Sequence, residues 1–307
     1  MPKIHILPDG KEIETRDGET ILQAALRAEI PLAHICSGNA RCSTCRVIIL
    51  EGMPNTLPPN AAEKKIADLS TFDPSVRLAC QTIATGNIKI RRLVMDDEDL
   101  ELSSLFIQGV KPGATGIEKN VLILFLDIQG FTAFSEALLP YDVIHTLNRF
   151  FNQMGEVINK YKGEINNYMG DGFMALFETH DPREGALRAI GASLEMLARV
   201  RGLQSYLEKL YYKSFQIRIG LHYGHVVAGT VGASGSRKMT VIGDSVNFAS
   251  RIEAANKKAG TRFLISEETF ALVKDRVEVG KQVYLALPGK TGKYRLYEVK
   301  KIKPEAS

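Results

Sequence analysis

Residues Val121–Glu136 read VLILFLDIQGFTAFSE, and the reading of this stretch decides the fold of the larger part of the chain. Six consecutive apolar residues run into Asp127, and Gly130 follows shortly after. A short apolar run bounded by a turn signal predicts a fully buried strand. A carboxylate at the end of such a strand is costly to bury unless a cation or hydrogen-bond donors wait for it. The competing reading is an aspartate that caps the next helix.

The segments downstream favour the first reading. Val143, Ile144, Leu147, Phe150, Phe151, Met154, Val157 and Ile158 recur at helical spacing, predicting a helix over Leu138–Tyr161 that Gly163 ends. INNYM and FMALF then flank Gly170-Asp171-Gly172, the pattern of a hairpin with Asp171 at its tip. A second amphipathic helix, about Glu184–Glu208, leads into the strand FQIRIGLHYG. A Gly-rich return, VVAGTVGASGS, is followed by a strand around Met239–Ile242 and a helix running to Lys258, capped by Asp244 or Ser245 and stopped by Gly260. This order of elements predicts a ferredoxin-like βαββαβ α+β sheet. The glycines between Gly220 and Gly235 make no dinucleotide fingerprint, because no helix opens directly from them.

In such a sheet the first strand lies beside the hairpin, which brings Asp127 and Asp171 to one edge. Two carboxylates there, with little basic residue between them, repel unless a divalent cation intervenes. Magnesium suits one or two carboxylates plus substrate phosphates, and the Ile128 carbonyl is a further candidate ligand. Asn247 and Arg251 share one helix face, away from the inward stripe Val246, Ala249, Ile252 and Ala255. His222 and His225 stand three apart on a strand, which sends them to opposite faces and argues against a shared metal.

The N-terminal part carries a different chemistry. KIHIL and KEIET flank Pro8-Asp9-Gly10 as a hairpin, and ILQAAL is a helix that Pro31 stops. Three of the four cysteines (Cys36, Cys42, Cys45) crowd into CSGNARCSTC, and Cys80 lies in RLACQ, read here as extended chain. Four thiolates from one tight loop and one distant position suit a [2Fe–2S] cluster. Zinc is the alternative, although structural zinc sites usually draw on two short knuckles and only one C-x2-C pair is present. Between the halves, residues 96–119 read as a linker, with an acidic run (Asp96, Asp97, Glu98, Asp99, Glu101), a short helix to Ile107 and VKPGATG.

The 307 residues carry a net charge of +4, too dispersed to point to nucleic acid. No apolar run approaches a membrane span, and the N-terminus lacks a signal core, so a cytoplasmic protein without membrane partners is expected.

Two resemblances follow. Residues 1–95, through the PDG hairpin, ETILQAAL, CSGNARCSTCRV and RLACQ, resemble [2Fe–2S] ferredoxins of the plant/adrenodoxin superfamily, which implies a β-grasp fold with Cys36, Cys42, Cys45 and Cys80 as cluster ligands. Residues 120–300, through FLDIQGFTAFSE, NNYMGDGFMALF, RIGLHYGHVVAGTVG and TVIGDSVNFASRIEAA, resemble the catalytic domain of class III nucleotidyl cyclases. That resemblance implies a homodimer with two Mg²⁺ or Mn²⁺ ions per site. Asp127, Asp171 and the Ile128 carbonyl would hold metal, Asn247 would position the ribose, and Arg251 would stabilise charge at the α-phosphate. Asn167 and Thr240 take the base-recognition positions, and Arg237 and Lys290 are candidates for the triphosphate. Asn167 departs from the Lys of adenylate and the Glu of guanylate cyclases and serves either purine by flipping its amide. Pro288 stands where many relatives carry a phosphate-binding Lys. The expectation is an adenylate cyclase making cyclic AMP and pyrophosphate, regulated by its iron–sulfur domain, with a redox partner for the cluster. A guanylate cyclase, or an electron carrier with an inactive nucleotide-binding domain, is the alternative.

Overall fold

The structure is a computed structural model that describes residues 1–93, 116–232, 236 and 238–304. The acidic run, the short helix expected to reach Ile107, and Arg237 lie outside the described residues. The chain divides into two compact units, Met1–Ile117 and Glu118–Ser307. Among the described residues no helix is long and apolar enough to cross a membrane.

In the first unit, β1 (Lys3–Leu7) pairs antiparallel with β2 (Lys11–Glu14) and parallel with β5 (Ile88–Arg92). β3 (Arg46–Glu51) lies antiparallel to β5 and to β4 (Val76–Leu78), giving the sheet order β2-β1-β5-β3-β4. Alternation along these strands sends Ile4, Ile6, Val47, Ile49, Ile88 and Ile90 into one core, with Ile21, Leu22, Ala24 and Ala25 of α1 (Ile21–Arg27). Thr20 and Gln23 cap α1 reciprocally, so two of its otherwise unpaired N–H groups are satisfied. RLACQ departs from the extended reading. The strand stops at Leu78, whose carbonyl accepts from the N–H groups of Gln81 and Thr82 at 2.9 and 3.0 Å, so Cys80 sits on a tight turn. That turn is anchored by a buried ion pair between Arg77 and Glu63 of α2 (Ala61–Leu69), whose Oε1 accepts from the Leu78 N–H at 2.7 Å.

The second unit is built on an eight-stranded sheet. β6 (Ile117–Gln129) lies between β8 (Gly172–Phe177) and β9 (Gln216–Val231), with β7 (Glu164–Met169) outside β8. β11 (Phe263–Ser266), β13 (Tyr294–Ile302) and β12 (Val277–Leu285) extend the β9 side. The order β9-β6-β8-β7 is that of the ferredoxin-like sheet. The short α3 (Phe131–Ser135), then α4 (Pro140–Lys160) and α5 (Pro182–Tyr211), follow β6 and β8; Phe150, Met154, Ala189 and Met196 of the two long helices join Leu124, Leu126, Phe173 and Phe177 in the main core.

Two segments differ from the sequence reading. The Gly-rich return is largely strand: β9 runs unbroken to Val231 and pairs antiparallel with β10 (Lys238–Ile242) from Val227↔Ile242 to Val231↔Lys238. Pairing with β10 satisfies backbone groups that glycines would otherwise leave to a loop. Neither Asp244 nor Ser245 caps the following helix, α6 (Asp244–Ala259). Gly243 holds the cap position, with no side-chain cap hydrogen bond, and Asp244 is the first helical residue. α6 packs directly on β9 because Gly220 has no side chain; a Cβ there would lie 2.2 Å from the Glu253 backbone nitrogen.

Candidate active site and cluster site

Asp127 lies near the end of β6, and Asp171 sits at the tip of the β7–β8 hairpin. What joins them is Gly172. A Cβ at this position would stand 2.3 Å from the Leu126 carbonyl oxygen and 3.3 Å from Asp127 Oδ1, so only glycine lets the hairpin tip close onto β6. Both carboxylates are half-buried. Burial first, and then the charge of Asp127, holds the Asp171 carboxyl above its ordinary range. A divalent cation would relieve that repulsion.

The space beside the pair is less bare of positive charge than the sequence suggests. Arg218, on β9, donates through Nη2 to Asp127 Oδ2 and through Nε to Glu253 Oε1, each at 2.8 Å. Arg218 and Glu253 side chains are only 15% and 12% exposed, so that ion pair sits in a weakly screened environment, whereas Asp127 is 35% exposed. Burial pushes Glu253 up to about 7, opposed by Arg218 and reinforced by Asp127 and Asp171. Sequence reasoning missed Arg218. Its signal was a lone charge in FQIRIGL, between Ile217 and Ile219 of an otherwise buried strand. With Oδ2 engaged by Arg218, Oδ1 is the oxygen left toward the Asp171–Gly172 turn. The Ile128 side chain is buried in the core, leaving only its backbone for a ligand.

Asn247 is exposed on α6, and Arg251, half-buried, has its guanidinium against Gly289, where a Cβ would stand 3.0 Å from Nη2. Lys290 forms an ion pair with Asp244, and its Nζ lies 5.5 Å from the centre of the Phe248 ring. Asn167 is exposed, and the side chain that meets Thr240 is that of its neighbour: Asn166 Oδ1 accepts from Thr240 Oγ1 at 3.2 Å. His222 is buried, with Nδ1 2.9 Å from Ser266 Oγ, whereas His225 is exposed, so they form no joint site.

In the N-terminal unit the four thiols form two contacting pairs, Cys36 with Cys42 and Cys45 with Cys80. The contact with Cys45 lowers the Cys80 thiol to about 6, while Cys80 pushes Cys45 up, so one sulfur of that pair takes the charge readily. Donors already face two of the sulfurs, the Arg41 N–H at 3.5 Å from Cys36 and Gln81 Nε2 at 3.4 Å from Cys80, and the Thr44 hydroxyl lies 3.1 Å from the Cys42 sulfur. Among the described residues no three His, Cys, Asp or Glu side chains converge to hold one ion. Two pairs suit a binuclear cluster, with two thiolates to each iron, better than a four-thiolate zinc site.

Residues 115–301 match the family described as the adenylate and guanylate cyclase catalytic domain. The chain belongs to that family. Residues 4–85 match the 2Fe-2S iron-sulfur cluster binding domain, so a ferredoxin-type unit precedes the cyclase domain. An adenylate cyclase of Anabaena cylindrica is 38% identical over 164 residues, covering 52% of this chain and 32% of that protein. Adenylate cyclase 1 of Rhizobium meliloti is 27% identical over 288 residues, covering 92% of this chain and 41% of that protein. The chain thus spans well under half the length of these curated relatives. Among solved structures, the guanylyl cyclase Cya2 is 30% identical with a TM-score of 0.58, covering 62% of this chain and 96% of that one. The adenylyl cyclase CyaB from P. aeruginosa is 29% identical with a TM-score of 0.57, covering 62% of this chain and 99% of that one. The cyclase fold is therefore shared by enzymes of both base specificities, and the family alone does not choose the base.

Proposed function

We propose that the chain is an adenylate cyclase with a cytoplasmic address, working as a homodimer and regulated by its iron–sulfur domain. The observation that carries the reading is the closure of Asp171 onto Asp127 at Gly172, which concentrates two carboxylates where one already resists ionisation. Two divalent ions, Mg²⁺ or Mn²⁺, would be held by Asp127, Asp171 and the Ile128 carbonyl, and would supply charge stabilisation to the attacking and leaving oxygens. The ribose 3′ oxygen attacks the α-phosphorus; the O3′–P bond forms, the bond to the β-phosphate bridging oxygen breaks, pyrophosphate leaves and the 3′ hydroxyl proton is released. The chain's task is positioning and charge stabilisation, with no protein nucleophile. Arg251 stabilises charge at the α-phosphate, Asn247 orients the ribose, and Thr240 with an asparagine of β7 reads the base. Lys290 and Arg237 are the candidates for the triphosphate, Lys290 by exchanging Asp244 for phosphate oxygens.

A homodimer is supported by the facing of α6. Glu253 reaches toward the acidic pair through Arg218, and at about 100° per residue Asn247 and Arg251 point roughly the opposite way. That facing supports a site in which Asn247 and Arg251 come from a second copy. Tyr168, Met169, Val231, Met239 and Ile242, exposed apolar residues on β7 and on the β9–β10 hairpin, fit a surface that such a copy covers. Coupling to the cluster is motivated by the fusion of an electron-transfer module to a reaction that transfers no electrons, its redox state biasing the dimer between arrangements.

Purified protein given ATP or GTP with Mg²⁺ or Mn²⁺ should make 3′,5′-cyclic AMP from ATP; absence of cyclic product from both nucleotides would refute the activity. Equal rates with the cluster oxidised and reduced would remove the regulation and leave the enzyme.

A further inference from the structure

We infer that Asn166, and not its neighbour Asn167, directs the base pocket toward adenine, by fixing the Thr240 hydroxyl as a hydrogen-bond acceptor toward the ligand. The inference rests on the adenylate cyclase reading above and names the atom that selects the base. It begins with an irregularity in β7. Ile165 pairs with Ala175 and Asn167 with Met174, the next residue along β8, so Asn166 is an extra residue in β7. A bulge of this kind re-aims the side chains around it. Here Asn167 is left exposed while Asn166 is half-buried against β10.

Three residues then fix one another in series. Asn166 Nδ2 lies 3.4 Å from the Met239 carbonyl oxygen, and Asn166 Oδ1 lies 3.2 Å from Thr240 Oγ1. A backbone carbonyl only accepts, so the amide must turn its NH₂ end to Met239 and its oxygen to Thr240. The flipped amide would set two oxygens against each other. Asn166 Oδ1 only accepts as well, so Thr240 donates its hydroxyl proton to it, and what Thr240 has left for a ligand is lone pairs. Across the β9–β10 pairing Thr240 lies opposite Gly229, which presents no side chain to compete for that space.

The two purines differ at the atom such an oxygen would meet. Adenine presents an N6 amino group, a donor, and guanine presents O6, an acceptor. An acceptor-only Thr240 pairs with N6–H and opposes O6 lone pair to lone pair, and a site that leaves a polar group unpaired in this way discriminates strongly. The ambiguity of an asparagine that flips freely between purines is removed, because the amide in question is tied down by the main chain.

The test compares kcat/KM for ATP and for GTP, together with equilibrium binding of each nucleotide in Mg²⁺, in the wild-type chain and in Asn166→Ala, Asn166→Asp and Asn167→Ala. The wild type should favour ATP by both measures. Asn166→Ala frees the Thr240 proton to serve O6, and the ATP/GTP ratio should fall about tenfold. Asn166→Asp loses the donor to Met239, which weakens both nucleotides alike, but still accepts from Thr240, so the ratio should stay within about threefold of the wild type, as it should in Asn167→Ala. A merely structural role for Asn166 would lower both nucleotides together in Asn166→Ala and leave the ratio unchanged. A wild type that prefers GTP, an unchanged ratio in Asn166→Ala, or a shift in Asn167→Ala alone would overturn the inference. Absence of cyclic product from either nucleotide would defeat the activity reading instead, and the binding ratios would then decide this inference on the same terms.

Discussion

Gly172→Ala is the perturbation that the geometry of the acidic pair makes most informative. The added Cβ would stand 2.3 Å from the Leu126 carbonyl oxygen, where real contacts of this kind essentially never fall below 3.0 Å. The obstacle is backbone, so no side chain can swing aside, and β8 must move away from β6 by about 0.7 Å, the difference between those two distances. The shift falls beside Asp171, whose approach to Asp127 is what the proposed site depends on. Overpacking of this kind costs about 1–3 kcal/mol of stability. A misplacement near 1 Å in a positioned site costs about a hundredfold in rate. Gly170→Ala is the control on the other side of Asp171: its φ is +63° and nothing lies within 4 Å of the new methyl group. That change costs about 1–2 kcal/mol of backbone strain without driving the strands apart. Cyclic nucleotide formation at saturating Mn²⁺ and thermal unfolding, measured on both variants, should show comparable stability losses and a roughly hundredfold rate loss confined to Gly172→Ala. If Gly172→Ala kept near-wild-type activity while Gly170→Ala lost it, the closure at Gly172 would not be what builds the site.

Other expectations come from the charges. Asp171 is held above its ordinary range by burial and by Asp127, so its ionised form costs stability above the folded pKa, a cost relieved as pH falls. Asp171→Asn should therefore raise the metal-free melting temperature at pH 7 while reducing cyclic product by about a hundredfold or more. Glu253, raised from 4.5 to about 7, makes the folded state bind a proton that the unfolded state has lost, so stability should decline from pH 5 to pH 8, by on the order of 3 kcal/mol. Glu253→Gln should flatten that decline in a series of thermal melts. In the N-terminal unit, Glu63 and Arg77 are paired with side chains 1% and 5% exposed, and Glu63→Ala leaves the guanidinium buried without its carboxylate. A loss of about 3–5 kcal/mol is expected in chemical denaturation followed by a probe of that unit.

What could be read in the sequence was what local pattern encodes. An apolar run meeting Asp127, a hairpin signal around Asp171 and three clustered cysteines each announce themselves within a few residues. What escaped was set by partners far along the chain. Arg218 reads as an ordinary strand charge until β6 and α6 bring Asp127 and Glu253 to it from 91 and 35 residues away. The Gly-rich segment after Val226 reads as a loop because glycine is a turn signal, yet pairing with β10 makes it strand. Asp244 has the chemistry of a helix cap, but the helix begins one residue earlier than that role requires. The bulge in β7 is the least visible feature of all: nothing in INNYM says which asparagine will face Thr240, and only the register against β8 decides it.

The central claim is that each active site combines Asp127 and Asp171 of one copy with Asn247 and Arg251 of another. Its most direct measurement is cyclic AMP formation by a mixture of two variants, Asp171→Ala and Arg251→Ala, each inactive alone. Random pairing makes half of the dimers mixed, and each mixed dimer carries one intact site of two, so about one quarter of the wild-type rate should return on mixing. A mixture that stays as inactive as its components, although the chains exchange, would contradict the account.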